Sequence, residues 1–210
     1  MNRLLSFIDR SPSPFHAVDN LCHRLSELGY ERLSEGKSWD LSVGGKYYVT
    51  RNGSALMAFR IPRADFTGFM ISASHSDAPT FRVKENADLC GPETYIRLNT
   101  ERYGGLLCAP WMDRPLTVAG RVLVQRENTI ETRLVYVDKD LLLIPNVAIH
   151  MNRSANDGMK YDAKCDTLPL MGMGHGKGAF RAIVAQAAGC APEEILGTDL
   201  FLCPRQKSMV

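Results

Sequence analysis

Apolar side chains recur at helical spacing at Phe15, Val18, Leu21, Cys22, Leu25 and Leu28, the stripe that one face of a helix buries. Ser11 and Ser13 with Pro12 and Pro14 make an entry to that helix, and Gly29 makes its exit. Serine hydroxyls satisfy the first backbone N–H groups, proline suits the first turn, and glycine accepts the left-handed exit conformation. Residues 46–51 and 54–60 are rich in β-formers and flank Asn52-Gly53. That pair takes the positive φ angles of a tight turn and predicts a hairpin. The next run, Gly68-Phe69-Met70-Ile71-Ser72-Ala73-Ser74, has the length of a buried strand, and it leads without a break into His75.

Beyond about residue 83 the pattern changes to strands and turns. Residues 121–125 and 132–137 read as a hairpin around Glu127-Asn128, and Pro110 and Pro115 bracket a loop. A helix is predicted over about 178–188, and Pro192-Glu193-Glu194 opens a short second one, with proline first and acids in the first turn. Asp199-Leu200-Phe201-Leu202-Cys203 reads as a strand returning to the first layer. The predicted fold class is α/β: residues 1–82 in an α/β layer, a β-rich insert over 83–198, and 199–210 rejoining the layer. No internal repeat or low-complexity segment is visible.

Composition narrows the function classes. The chain has 210 residues, 45% hydrophobic and 23% charged, and no apolar stretch approaches the roughly 20 residues that span a bilayer, so no membrane partner is expected. Lys and Arg total 25 against 23 acidic residues and are scattered, which leaves no basic field for nucleic acid. Leu4-Leu5-Ser6-Phe7-Ile8 is too brief for a secretory segment before Asp9 and Arg10. Cys22, Cys90, Cys108, Cys165, Cys190 and Cys203 form no C-x-x-C pair and read as free thiols. A cytoplasmic location is expected.

The chemistry concentrates at His75-Ser76-Asp77. A histidine at the end of an inner strand can offer one ring nitrogen to a metal while a carboxylate two residues on takes the other ring N–H and fixes the tautomer. Other candidates have blander readings. Glu193-Glu194 sits where a helix start favours carboxylates. Gly172-Met173-Gly174-His175-Gly176-Lys177-Gly178 lacks the first glycine and the terminal hydroxyl of a phosphate loop and reads as a hinge or lid. His23 beside Arg24 reads as a surface residue. His150 ends the run from Leu141 to Ile149, and from its position alone it reads as the cap of a buried segment.

Four ordered stretches change the weight of these readings. They are Ser11-Pro12-Ser13-Pro14-Phe15-His16-Ala17; Ser72-Ala73-Ser74-His75-Ser76-Asp77-Ala78-Pro79; Tyr103-Gly104-Gly105 through Trp111-Met112-Asp113-Arg114-Pro115-Leu116 to Gly120-Arg121-Val122; and Ile144-Pro145-Asn146-Val147-Ala148-Ile149-His150-Met151-Asn152-Arg153. Together they resemble the aspartyl aminopeptidase family, zinc exopeptidases that remove acidic residues from peptide N-termini.

The resemblance implies a partial zinc-exopeptidase α/β catalytic layer with an inserted β-rich dimerisation domain. It implies His75 as a zinc ligand, Asp77 as its catalytic orienter, and His150 as a residue that reaches the partner subunit's active site and stabilises the oxyanion. It further implies two zinc ions, which activate a bridging water while a glutamate moves the proton. Peptide substrates and a homodimer, or a larger homo-oligomer such as a dodecamer, follow as expected partners. In the family, the bridging aspartate, the Glu-Glu pair, a further carboxylate and a final histidine come after the segment that Asp199-Leu200-Phe201-Leu202 resembles. The 210-residue chain alone is therefore expected to be inactive. The alternative is a non-catalytic oligomerisation module derived from the same family.

Overall fold

The computed structural model describes residues 2–90, 95–173 and 178–209, and contacts divide it into two units, Met1–Ala78 with Ser208–Val210, and Pro79–Lys207. In the first unit, helix α1 (Asn2–Asp9) precedes α2 (Pro14–Glu27). Ser13 is extended and accepts the His16 N–H at the start of α2, and Pro14 occupies its first turn. After α2, the Tyr30 N–H donates to the Leu25 carbonyl across Gly29, whose φ is 78°, the left-handed exit that glycine takes without strain. Phe15, Ala17 and Val18 are the buried face of α2; α2 packs on a three-stranded sheet whose central strand buries Tyr47, Tyr48 and Val49.

That sheet has the order β1 (Glu31–Leu33), β2 (Lys46–Arg51), β3 (Ala55–Arg60), parallel then antiparallel. The predicted hairpin is present. Asn52 and Gly53 have φ of 54° and 66°, but the ladder resumes at Arg51↔Ala55, so the connection includes Ser54 and is one residue longer than predicted. The strand predicted over 68–74 is absent. No strand pairs with this segment among the described residues, and Phe69, Met70 and Ile71 are 66%, 104% and 87% exposed. An apolar run becomes a strand only where a neighbouring strand satisfies its backbone groups.

The second unit is built on a six-stranded antiparallel sheet of order β7-β6-β9-β4-β5-β8. Its strands are β4 (Thr80–Cys90), β5 (Tyr95–Tyr103), β6 (Leu116–Arg126), β7 (Thr129–Tyr136), β8 (Leu170–Met173) and β9 (Ile195–Pro204). Glu127-Asn128 joins β6 to β7 as predicted, with Arg126↔Thr129 closing the ladder. Helix α3 (Ala179–Ala188) contributes Phe180, Val184, Ala185 and Ala188 to a core shared with Val118, Val122, Leu200 and Leu202. The short helix predicted at Pro192 is a single 3-10 turn, Pro192–Glu194.

Two expected boundaries are corrected. The division falls at Ala78/Pro79, because Thr80–Val83 already pair with β5. Residues 199–203 do not return to the first layer. β9 pairs with β6 from Leu116↔Pro204 to Val124↔Ile195 and with β4 at Arg82↔Phe201, so both of its hydrogen-bonding edges are engaged within the second unit. No described helix is long and apolar enough to cross a membrane.

Candidate functional site

His75 lies in irregular backbone after the exposed 68–74 segment, and its side chain is 92% exposed. Its Nδ1 meets Asp77 Oδ1 at 2.9 Å. A carboxylate can only accept, so the shared proton sits on Nδ1, and neutral His75 keeps the lone pair on Nε2. Ser76 holds the segment in place by donating its hydroxyl to the Ser54 carbonyl at 2.8 Å, which ties the histidine to the β2–β3 turn. The predicted ligand and orienter are thus brought together, in the arrangement that a histidine ligand with a carboxylate partner would need.

A catalytic zinc takes at least three protein donors plus water. Among the described residues, no three His, Cys, Asp or Glu side chains are grouped to hold a metal ion. His75 fits as one donor, and the described residues do not furnish the rest of a zinc site.

His150 belongs to the second unit. The apolar run before it is not one buried segment: Leu141, Leu142 and Ile144 are buried, whereas Val147 and Ile149 are 48% and 45% exposed. Pro145 marks the change. His150 is exposed near the tip of a turn closed by the Met151 N–H on the Ala148 carbonyl at 2.8 Å. Asn152 then turns the chain away, its Oδ1 accepting from the Ser154 hydroxyl.

Asp113 stands at the base of this loop. Its φ is 53°, its N–H donates to the Ile144 carbonyl at 2.9 Å, and its Oδ1 accepts the Asn146 N–H at 2.9 Å. The sequence reading placed Asp113 in a motif without a role; an Asp before Arg-Pro is a turn signal, and its partner lies too far along the chain to be seen.

The remaining candidates resolve as structure. The Glu194 carboxylate accepts the Ala191 N–H at 2.7 Å and pairs with Arg126, which supports the capping reading. His23 is exposed, 3.6 Å from Asp19. In the Gly172–Gly178 loop, residues 174–177 lie outside the described residues. His16, half-buried with Nδ1 at 2.7 Å from Ser13 Oγ, has its pKa lowered by burial against a weaker pull from Asp19. Cys22, Cys108, Cys165, Cys190 and Cys203 are free thiols, and burial raises Cys203 to about 12. A cleft of about 480 Å³ in the second unit is lined by Lys84, Asp88 and Arg181 among others. Asp88 caps the start of α3 there, and Arg181 donates to the Pro192 and Ile195 carbonyls, so two of its principal charges are already engaged.

Comparison with known proteins adds four matches. Residues 7–210 match the family model described as aminopeptidase I zinc metalloprotease (M18). A protein of Clostridium acetobutylicum described as probable M18 family aminopeptidase 2 is 42% identical over 216 residues, covering 99% of this chain and 50% of that protein. Among solved structures, mApe1 of Chaetomium thermophilum superposes with a TM-score of 0.87 at 30% identity, covering 100% of this chain and 51% of its own. The mApe1 dodecamer of S. cerevisiae gives 0.76 at 26%, covering 98% and 48%. The chain spans about half the length of the curated relatives it matches.

Proposed function

Because the chain belongs to the aminopeptidase I zinc metalloprotease (M18) family, we propose that it carries the first part of the active site of an aminopeptidase that removes acidic residues from peptide N-termini. The observation that carries this reading is the His75–Asp77 pair at 2.9 Å, which leaves Nε2 as a metal donor. In the completed site His75 is one zinc ligand and Asp77 holds its tautomer. Two zinc ions are bound there, with the remaining ligands and the general base supplied from outside the described residues.

The second unit is the dimerisation and lid domain, and its exposed His150 stabilises the oxyanion on the scissile carbonyl of a neighbouring subunit. The assembly is a homodimer or a larger homo-oligomer, a reading supported by a similar structure described as a dodecamer. Its substrates are peptides, nucleic acid and membrane play no part, and its location is the cytoplasm. Since His75 cannot by itself make a catalytic zinc site, the 210-residue chain is inactive.

The test compares this chain with one extended by the half of the family fold that it does not span, assayed for release of aspartate, glutamate and leucine from dipeptides. The extended protein should release the acidic residues faster, and the 210-residue chain should release none. Faster release of leucine would contradict the acidic preference. An extended protein that assembles but hydrolyses nothing would favour the non-catalytic oligomerisation module.

A further inference from the structure

We infer that Asp113 is the positioning residue for His150. This inference rests on the proposed role of His150 and adds to it what holds that side chain in place.

Asp113 occupies a left-handed conformation at φ 53°, a region that side-chain-bearing residues visit rarely and Asp and Asn tolerate best. Strain of this kind persists where surrounding bonds over-determine it. Here there are two such bonds. The Asp113 N–H donates to Ile144, and its carboxylate accepts from the Asn146 N–H, both at 2.9 Å. Ile144 is itself fully buried, and Met112 bridges to it from the same side. Asp113 therefore fastens the first exposed residues after Pro145 to a point that is fixed in the core.

From there the restraint passes outward in short steps. Asn146 Oδ1 accepts the N–H of Val147 at 2.9 Å, and the Ala148–Met151 hydrogen bond closes the turn that displays His150. Only three residues separate the Asn146 anchor from His150. With Val147, Ile149 and Met151 exposed, side-chain burial does little to hold the loop, so its placement depends on these hydrogen bonds. Where a catalytic group must meet a reacting atom within a few tenths of an ångström, such a latch is worth rate without touching substrate.

The test uses three variants. Asp113→Gly keeps the left-handed backbone and removes the carboxylate. Asp113→Asn keeps an oxygen acceptor in the same place. Asp113→Ala removes the carboxylate and also penalises the backbone. In the 210-residue chain, hydrogen exchange at the Asn146 amide should speed up in Asp113→Gly and Asp113→Ala and stay slow in Asp113→Asn. In the extended, active protein, Asp113→Gly should lower kcat about tenfold with KM little changed, short of the ~10²-fold expected for losing an oxyanion donor. Asp113→Asn should restore it, and in a His150→Ala background Asp113→Gly should cost nothing further. Unchanged exchange in Asp113→Gly overturns the latch, and additive losses in the double variant overturn the link to His150. Failure of the His150 reading itself shows separately, as an unchanged kcat in His150→Ala alone.

Discussion

Arg121 grips one carboxylate oxygen of Asp199 twice, through Nε at 2.9 Å and a terminal nitrogen at 2.8 Å. Arg82 takes the other oxygen at 2.7 Å. The three residues lie on β6, β9 and β4, neighbours in that order, so a single carboxylate ties the middle strand to both sides. Asp199→Ala would remove the carboxylate that the two guanidinium groups share. The pair is partly exposed, 17% at Arg121 and 27% at Asp199, so a loss of about 1–3 kcal/mol is expected, less for Asp199→Asn. Urea unfolding followed by a probe in the second unit measures it; a change below about 0.5 kcal/mol, the usual range for a surface substitution, would deny this carboxylate its structural role.

The strand that carries this aspartate was only partly legible in the sequence. The apolar run over 199–203 was read as a strand, and β9 contains it, but such a run is blind to which sheet a strand joins. The cross-strand partners Arg82 and Arg121 decided that, and they lie far away in the chain. At 68–74 the converse held: the apolar run was legible, whereas its exposure depends on partners that a local pattern cannot supply. Local chemistry travelled better. The entry at Ser13-Pro14, the turn at Asn52-Gly53, the hairpin at Glu127-Asn128 and the His75–Asp77 pair all rest on residues at most three positions apart. Asp113, whose partners lie some thirty residues on, was missed for the same reason.

At Gly120, β6 leaves no room for a side chain against β9. A Cβ there would lie 2.0 Å from the Asp199 carbonyl oxygen and 3.0 Å from the Leu200 Cα, both backbone atoms that cannot swing aside. Gly120→Ala should therefore destabilise the second unit by about 1–3 kcal/mol, the cost of overpacking a tight site, and lower its melting temperature. A melting temperature equal to wild type would mean that the strands separate without penalty.

His16 should make the first unit sensitive to acid. Burial lowers its pKa in the fold below the ordinary value of 6.5, so the unfolded chain binds the proton more readily. Stability is then full above that value and falls as pH drops through it, until the folded form is protonated as well. His16→Gln should flatten this slope. Hydrogen exchange of α2 amides between pH 7.5 and 5.5 reports it, and equal slopes in both proteins would reject the assignment.

His150→Ala in the extended protein is expected to lose on the order of 10²-fold in kcat, the scale of one oxyanion donor, with zinc content and assembly unchanged. Mixing His150→Ala subunits with subunits lacking the metal site tests its action across the interface. In a mixed dimer the His150→Ala chain keeps its metal and receives His150 from its neighbour, so activity should reappear. Demonstrated mixed dimers without recovery would return His150 to a structural role.

His75, oriented by Asp77, is proposed as one zinc ligand in a site that the described residues do not complete. Zinc content after equilibration and gel filtration measures it most directly, on the 210-residue chain, the extended protein and its His75→Ala and Asp77→Asn variants. The 210-residue chain should retain little zinc and the extended protein should hold it stoichiometrically. His75→Ala should lose bound zinc, and Asp77→Asn should weaken retention on the order of 10–100-fold, as expected for an orienting partner. Stoichiometric zinc in the 210-residue chain, or full zinc in the extended His75→Ala protein, would contradict that role for His75.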